Sequence, residues 1–508
     1  MPEAKTLFDL LDSGAGGKPA ICAPARPALT FAELKRQVRD TVDALNARGI
    51  GIGDRVAIVL PNGPEMAVSF ISIACGATTA PLNPAYRQEE FEFYLEDLGA
   101  RALVVEAGSD SHAVAAARVK GIEILEIEHA NEDPAGRFRF LGNPNGASPA
   151  RSGMAAADDI ALILHTSGTT SRPKIVPLSH ANLARSARNI GQSLALTADD
   201  RCMNIMPLFH IHGLVAAILA SVGAGGSTYC TPGFNALKFF GWFEEAAPSW
   251  YTAVPTMHQA ILQRAARSMD VIERHPLRFI RSCSSALPPQ VMAELESCFG
   301  VPVIEAYAMT EAAHQMTSNP LPPASRKPGT VGVSAGPEVG IMDDEGRLLA
   351  AGETGEVVIR GENVTRGYEN NPKANEENFT NGWFRTGDQG VLDDEGYLTI
   401  TGRLKEIINR GGEKISPREV DEVLMDHPAV QQVVTFAMPH AKLGEEIAAA
   451  VVLRDDASAD EKQIRAFAAT RLADFKVPRK IVIPGEIPKG PTGKLQRIGL
   501  AEKLGLAP

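Results

Sequence analysis

The sequence predicts an α/β protein. It has a large N-terminal body of layered sheets and helices, a β-rich subdomain and a small α+β C-terminal domain. Three observations predict this. Short apolar strands alternate with helical stretches over the first part of the chain, which favours buried sheets with helices on both faces. After about residue 328, brief strands are punctuated by Gly- and Asp-rich turns, as in IMDDEGRL, GEVVIRG and LDDEGYLTITG. Beyond Gly402-Arg403-Leu404-Lys405 the tail carries its own capped helices. The boundaries read from these shifts are 1–402 for the body, about 328–402 for its β-rich part, and 403–508 for the tail.

Residues 30–47 place Phe31, Leu34, Val38, Val42 and Leu45 at helical spacing. VAIVL at 56–60 reads as a strand, followed by an apolar helical run over about 64–77. The greasy stretch at 67–82 is broken by Gly76 and hydroxyl residues, and suits a buried helix rather than a membrane span. ALVVE (102–106), ALILH (161–165), YTAVP (251–255) and RFIRS (278–282) continue the strands, and 180–196 the helices. In the tail, Ser416-Pro417-Arg418-Glu419 predicts a capping box with proline at the first helical position. Ser458 and Glu461 predict a second box.

The 508 residues suit roughly two to four domains. Hydrophobic residues make up 44% and charged residues 22%, as in ordinary globular chains. The formal net charge of −11 argues against broad nucleic-acid binding, which needs basic patches. Cys22, Cys75, Cys202, Cys230, Cys283 and Cys298 stand alone, with no metal-ligand spacing, so reduced thiols in a cytoplasmic protein are expected. The N-terminus lacks signal-peptide regions and GLAP is no peroxisomal address.

The segment Thr166-Ser167-Gly168-Thr169-Thr170-Ser171-Arg172-Pro173-Lys174 follows an apolar strand and precedes another, KIVPLS. Hydroxyls and backbone N–H groups in such a turn can wrap phosphate oxygens, and Lys174 adds a charge. Gly-Lys-Ser/Thr is missing, so this is no Walker A loop. Taken alone, it reads equally well as a solvated Ser/Thr turn.

Together with YAMTE (307–311), WFRTGD (383–388), GRLKEIINRGGEKISP from Gly402 and PTGKLQR (491–497), the loop resembles the acyl-CoA synthetases of the adenylate-forming superfamily. The resemblance spans essentially the whole chain. PLFHIHGL, WYTAVPTMHQ, LRFIRSCSSAL and EAYAMTEAAHQMTSNPLPP are most similar to the branch that activates oxalate. Ser171 and Ile175 stand where many relatives have glycine, and Thr492 replaces the usual serine.

The resemblance implies the adenylate-forming fold with a mobile C-terminal domain, and ATP, Mg2+ and coenzyme A as the small molecules used. It implies that Thr166, Ser167, Gly168, Thr169, Thr170 and Lys174 hold the β- and γ-phosphates. Thr310 would touch the α-phosphate and Glu311 would hold Mg2+. Tyr307 would stack on adenine, with Ser285 and Ala286 along its edge. Asp388 would accept the ribose hydroxyls, and Arg403 would reach ribose or phosphate. Lys494 would bond the α-phosphate and the attacking carboxylate. Lys405 is the implied pivot that exchanges Lys494 for the Gly411-Gly412 loop, where glycine lets backbone approach the thiol's long arm.

His210, His212, Ser284 and His314 make the expected acid pocket polar, which suits a second carboxylate. The implied activity is ATP-dependent, AMP-forming ligation of a small carboxylic acid, oxalate first, to coenzyme A. Malonate or another short polar acid, or loading of a carrier protein, are the alternatives. No nucleic acid or membrane partner is expected, and the protein is expected to be a monomer or homodimer.

Overall fold

The computed structural model describes residues 4–144, 146–166, 173–455, 457–488 and 495–506. The N-terminal body holds two large sheets. One has nine strands in the order Val333–Ser334, His314–Ser318, Val303–Met309, Phe279–Cys283, Trp250–Ala253, Arg201–Asn204, Ser227–Cys230, Pro19–Cys22, Leu29–Thr30. Its inner strands are parallel and its edges antiparallel. The other has seven, in the order Arg139–Phe140, Glu123–Glu128, Ala102–Glu106, Arg55–Ile58, Thr78–Pro81, Ile160–Thr166, Lys174–Ser179.

The main core lies between these sheets. Val56, Ile58, Val104 and Leu162 from the second sheet share one apolar cluster with Trp250, Phe279 and Ile304 from the first. Helices fill the layer between. All residues of the helix Pro64–Ala74 are buried, which is why its sequence reads apolar all round. It packs against the helix Phe31–Asn46, whose first turn is closed by a reciprocal Thr30–Glu33 capping box. A Cβ at Gly76 would lie 2.8 Å from Val42, so this contact admits only glycine without a shift.

The β-rich part is a five-stranded antiparallel sheet built from Glu338–Met342, Gly355–Arg360, Phe379–Thr380, Trp383–Leu392 and Leu398–Arg403. The chain then makes a 3-10 turn, Leu404–Glu406. Beyond it a second five-stranded sheet and the helices Pro417–Met425 and Glu461–Ala469 enclose a separate core around Ile408, Val420, Ile447 and Ile464.

Two helix-start expectations need correction. Ser416 does cap Pro417–Met425, its hydroxyl accepting from the Glu419 N–H, but the box does not close. The Glu419 carboxylate instead accepts from Lys476 at 2.6 and 2.8 Å, where a full charge competes better than a backbone N–H. The second helix is capped by Asp460, not Ser458, and Asp460 forms the reciprocal box with Gln463. All six cysteines are free and five are buried. No helix among the described residues is long and apolar enough to cross a membrane.

The tail packs on the body. Arg418 donates to the Ile400 carbonyl at 2.7 Å, Gln259 donates to the Gln431 carbonyl at 3.2 Å, and Gln290 bonds Asp426. A cavity of about 130 Å³ remains between the two parts.

Candidate active site

The site forms where strands of the nine-stranded sheet end. The strand Val303–Met309 carries Tyr307 outward, then breaks into the 3-10 turn Thr310–Ala312. Ala313 (φ 48°) and His314 (φ 105°) reverse the chain into His314–Ser318. Non-glycine residues in this region carry backbone strain, which persists where surroundings over-determine it. The reversal buries Glu311 and His314 on either side of one tight turn.

At one end of the cleft Tyr307 donates its hydroxyl to Asp388, and the Arg403 Nε donates to Asp388 Oδ1 at 3.0 Å. Asp388 and Arg403 are also register partners on adjacent strands. Gly387 (φ 76°) lets the strand bulge beside them, and the Asp388 N–H is held by the Thr386 hydroxyl at 3.1 Å. The Asp388 charge raises the Arg403 pKa, so this guanidinium is always charged. Asp388 is thus no free turn aspartate. Its partners are hydroxyl and N–H donors, the same kind of group a ribose presents.

At the other end the Glu311 carboxylate accepts from the Tyr368 hydroxyl at 2.8 Å. The Lys174 Nζ sits 4.3 Å above the Tyr368 ring, a cation–π contact. Burial pushes the Glu311 carboxyl up, while the Tyr368 hydrogen bond, Lys174 and Arg403 pull it back. Burial pushes Lys174 down; Glu311 opposes this and Lys405 adds to it. Arg403 therefore acts electrostatically on both Asp388 and Glu311.

Tyr368 escaped sequence reasoning. Its segment is strapped beside Glu311 and Lys174 by long-range bonds: Thr365 N–H to the Glu311 carbonyl (2.7 Å), Glu369 N–H to the Ile175 carbonyl (3.1 Å), and the Arg55–Glu369 ion pair (2.5 Å). The RGYENN sequence carries a usable signal only in its tyrosine beside a glycine, which is weak alone.

The acid-pocket residues converge. His212 opens a π-helical stretch, His212–Leu219, a feature frequent at functional sites. A Cβ on the following Gly213 would lie 2.4 Å from the Pro207 carbonyl oxygen, so the tight entry into this helix requires glycine. The His212 Nε2 lies 2.6 Å from the Thr252 hydroxyl and its Nδ1 lies 3.0 Å from Ser284. The His212 and His314 rings are 5.1 Å apart, both fully buried. His210 is half-buried, and its Nδ1 accepts the His212 backbone N–H at 3.3 Å. Thr252 is a further member of this set that the sequence reading passed over.

Ser285 and Ala286 are exposed, and line the cavity that faces Arg418, Asp421 and Arg497 of the tail. Gly411 (φ 61°) and Gly412 (φ 104°) form the turn of the hairpin Ile408–Arg410/Glu413–Ile415. Lys405 lies in the 3-10 turn that joins the two parts. Ser167, Gly168, Thr169, Thr170 and Lys494 lie outside the described residues. Thr166 and Lys174, the two ends of the segment expected to hold phosphate, are register partners. Arg497, three residues after Lys494 in sequence, pairs with Asp421 at 2.7 Å and with Glu406 of the 3-10 turn at 3.3 Å.

The two-part fold with this cleft defines an adenylate-forming enzyme. Residues 12–369 match the AMP-binding enzyme family, and residues 419–494 match the AMP-binding enzyme C-terminal domain. The chain is 45% identical to an oxalate–CoA ligase of Arabidopsis thaliana, over 97% of this chain and 98% of that one. It is 45% identical to an oxalate–CoA ligase of Saccharomyces cerevisiae, over 88% and 86%. Among solved structures, ATP-bound MatB from Rhodopseudomonas palustris superposes with a TM-score of 0.88 at 30% identity, covering 98% of both chains. The chain belongs to the AMP-binding enzyme family.

Proposed function

We propose that this enzyme adenylates oxalate with ATP and transfers the oxalyl group to coenzyme A, releasing AMP and pyrophosphate. In the first step an oxalate oxygen attacks the α-phosphorus and the bond to pyrophosphate breaks. In the second the thiol sulfur attacks the acyl carbon, loses its proton, and AMP departs. The observation that carries the acid assignment is the buried His212–Thr252–Ser284 hydrogen-bonded set beside His314. It offers polar contacts to a substrate with two carboxylates. The two oxalate–CoA ligase relatives support the same reading.

The ribose hydroxyls would take the place of the Tyr307 hydroxyl on Asp388, a direct exchange of one O–H donor for another. Arg403 would stay on the outer carboxylate oxygen and orient it. Lys174 would leave the Tyr368 ring for phosphate oxygens, while Tyr368 keeps Glu311 in place. Thr310 would reach the α-phosphate from the turn. Lys494 would bridge that phosphate and the attacking carboxylate, where charge develops in the transition state.

Magnesium binds one or two carboxylates plus substrate phosphates. Glu311 offers one buried carboxylate beside Lys174, and no cluster of three or more His, Cys, Asp or Glu able to hold a metal occurs among the described residues. That donor set fits magnesium carried in on the nucleotide. When bound, the ion neutralises phosphate charge.

The test is AMP release with oxalate, malonate, acetate and hexanoate, each with and without coenzyme A. Oxalate should lead, with full turnover only when coenzyme A is present. Silence with oxalate alongside turnover with malonate would overturn the acid assignment. Release only with an added carrier protein would move the enzyme to another class.

A further inference from the structure

Arg281 lies in the middle of the strand Phe279–Cys283, inside the nine-stranded sheet. It is fully buried, among the largest side chains that are. Its Nη2 donates to Gln315 Oε1 at 3.1 Å. Its Nε and Nη1 reach no hydrogen-bond acceptor among the described residues. Besides burial, the influences on it are two thiols, Cys283, which also hydrogen-bonds it, and Cys202, with no carboxylate among the described residues. Arginine stays protonated in proteins. This is therefore a buried positive charge without a paired carboxylate among the described residues, an arrangement that is costly to stability.

Its surroundings point toward the acid pocket. Cys283, its nearest electrostatic neighbour, immediately precedes Ser284. Gln315, its hydrogen-bond partner, immediately follows His314. Thr252, its register partner on the adjacent strand, holds His212. Each pocket group is thus one residue or one hydrogen bond from a neighbour of Arg281. Gln315 cannot turn away, because its amide nitrogen is committed to Ser193 (3.0 Å) and the Ala335 carbonyl (3.2 Å). Arg281 and Thr252 are register partners on neighbouring strands, so their side chains share the sheet face on which Thr252 holds His212.

We propose that Arg281 is the selectivity residue of the acid pocket: its fixed charge balances the carboxylate that does not react. It thereby favours a two-carbon dianion over a monoanion of the same shape. This rests on the oxalate reading above. A residue kept only for folding would face a carboxylate or be replaced by an apolar side chain of similar volume, since buried unbalanced charge lowers stability.

The experiment uses the full chain with Arg281→Met, Arg281→Gln and Arg281→Lys. It measures AMP release with oxalate and with oxamate, an isostere whose second end is a neutral amide, and thermal unfolding. Both neutral variants should lose on the order of 100-fold in kcat/KM for oxalate, chiefly through KM, with oxamate little changed. Arg281→Met should unfold at or above the wild-type temperature. Arg281→Lys should keep most of the preference for oxalate. A wild type active on oxalate whose neutral variants keep its oxalate-to-oxamate ratio would overturn this proposal alone. Failure of both neutral variants to fold would overturn it too, because it would make the charge structural. A wild type inactive on oxalate would overturn the acid assignment itself.

Discussion

Glu305 shows how the fold treats a single buried carboxyl. It is 1% exposed, its Oε1 accepts the Leu287 N–H at 3.0 Å, and its Oε2 has no hydrogen-bond partner among the described residues. Burial pushes its pKa up to about 7, and the Leu287 N–H and Arg418 of the tail oppose the rise. The folded state therefore holds this proton more tightly than the unfolded chain does. The stability Glu305 contributes is complete below its ordinary value of 4.5 and is lost as pH rises to about 7. Replacing Glu305 by Gln should remove that loss. The unfolding temperature of the variant minus that of the wild type should grow between pH 5 and pH 8, as read by calorimetry. A flat difference would contradict the assignment. Such residues are poorly legible in sequence. Glu311, Asp388 and His212 sit in motifs and could be named, but Tyr368 and Arg281 acquire meaning only from partners far along the chain. A charged residue inside an apolar strand gives no sign of which face it buries.

At the scale of elements, local pattern was a good guide where one face is apolar. The helices Phe31–Asn46 and His180–Ser193, and the strands Ala102–Glu106 and Ile160–Thr166, lie where periodicity placed them. Capping was less legible because neighbouring polar residues compete. Asp460 and Ser458 both suit a helix start with a polar partner three residues on, but the Glu461 carboxylate accepts from Lys480 at 2.9 Å, while Gln463 returns its hydrogen bond to Asp460. Asp460→Ala should therefore cost about 1 kcal/mol of C-terminal-domain stability, and Ser458→Ala less than about 0.5 kcal/mol. Denaturant unfolding of both variants decides this, and equal losses would restore Ser458 as the cap. The π-helical start at His212 left no trace in the sequence, since its apolar run also fits an ordinary helix.

For the whole molecule, the body and tail meet over a cavity lined by residues of both. The tail reaches the hinge through the Arg497–Glu406 and Arg497–Asp421 pairs, close in sequence to Lys494. Lys494→Ala should cut acid-dependent exchange of pyrophosphate into ATP by about 100-fold. Thioester formation from a pre-made adenylate should change far less, because the proposed pivot would withdraw the lysine in that step. Equal losses in both half-reactions would remove the lysine's separate role. The central claim is that the Asp388 end, the Glu311 end and the His212 pocket form a single site for one mixed anhydride. A crystal structure with a stable sulfamate analogue of the oxalyl adenylate tests it most directly. The ribose should lie on Asp388 with the Tyr307 hydroxyl displaced, the linker beside Glu311 and Lys174, and the free carboxylate against His212, Ser284 and His314. An acyl group lodged in any cavity not bordered by His212 would contradict the account.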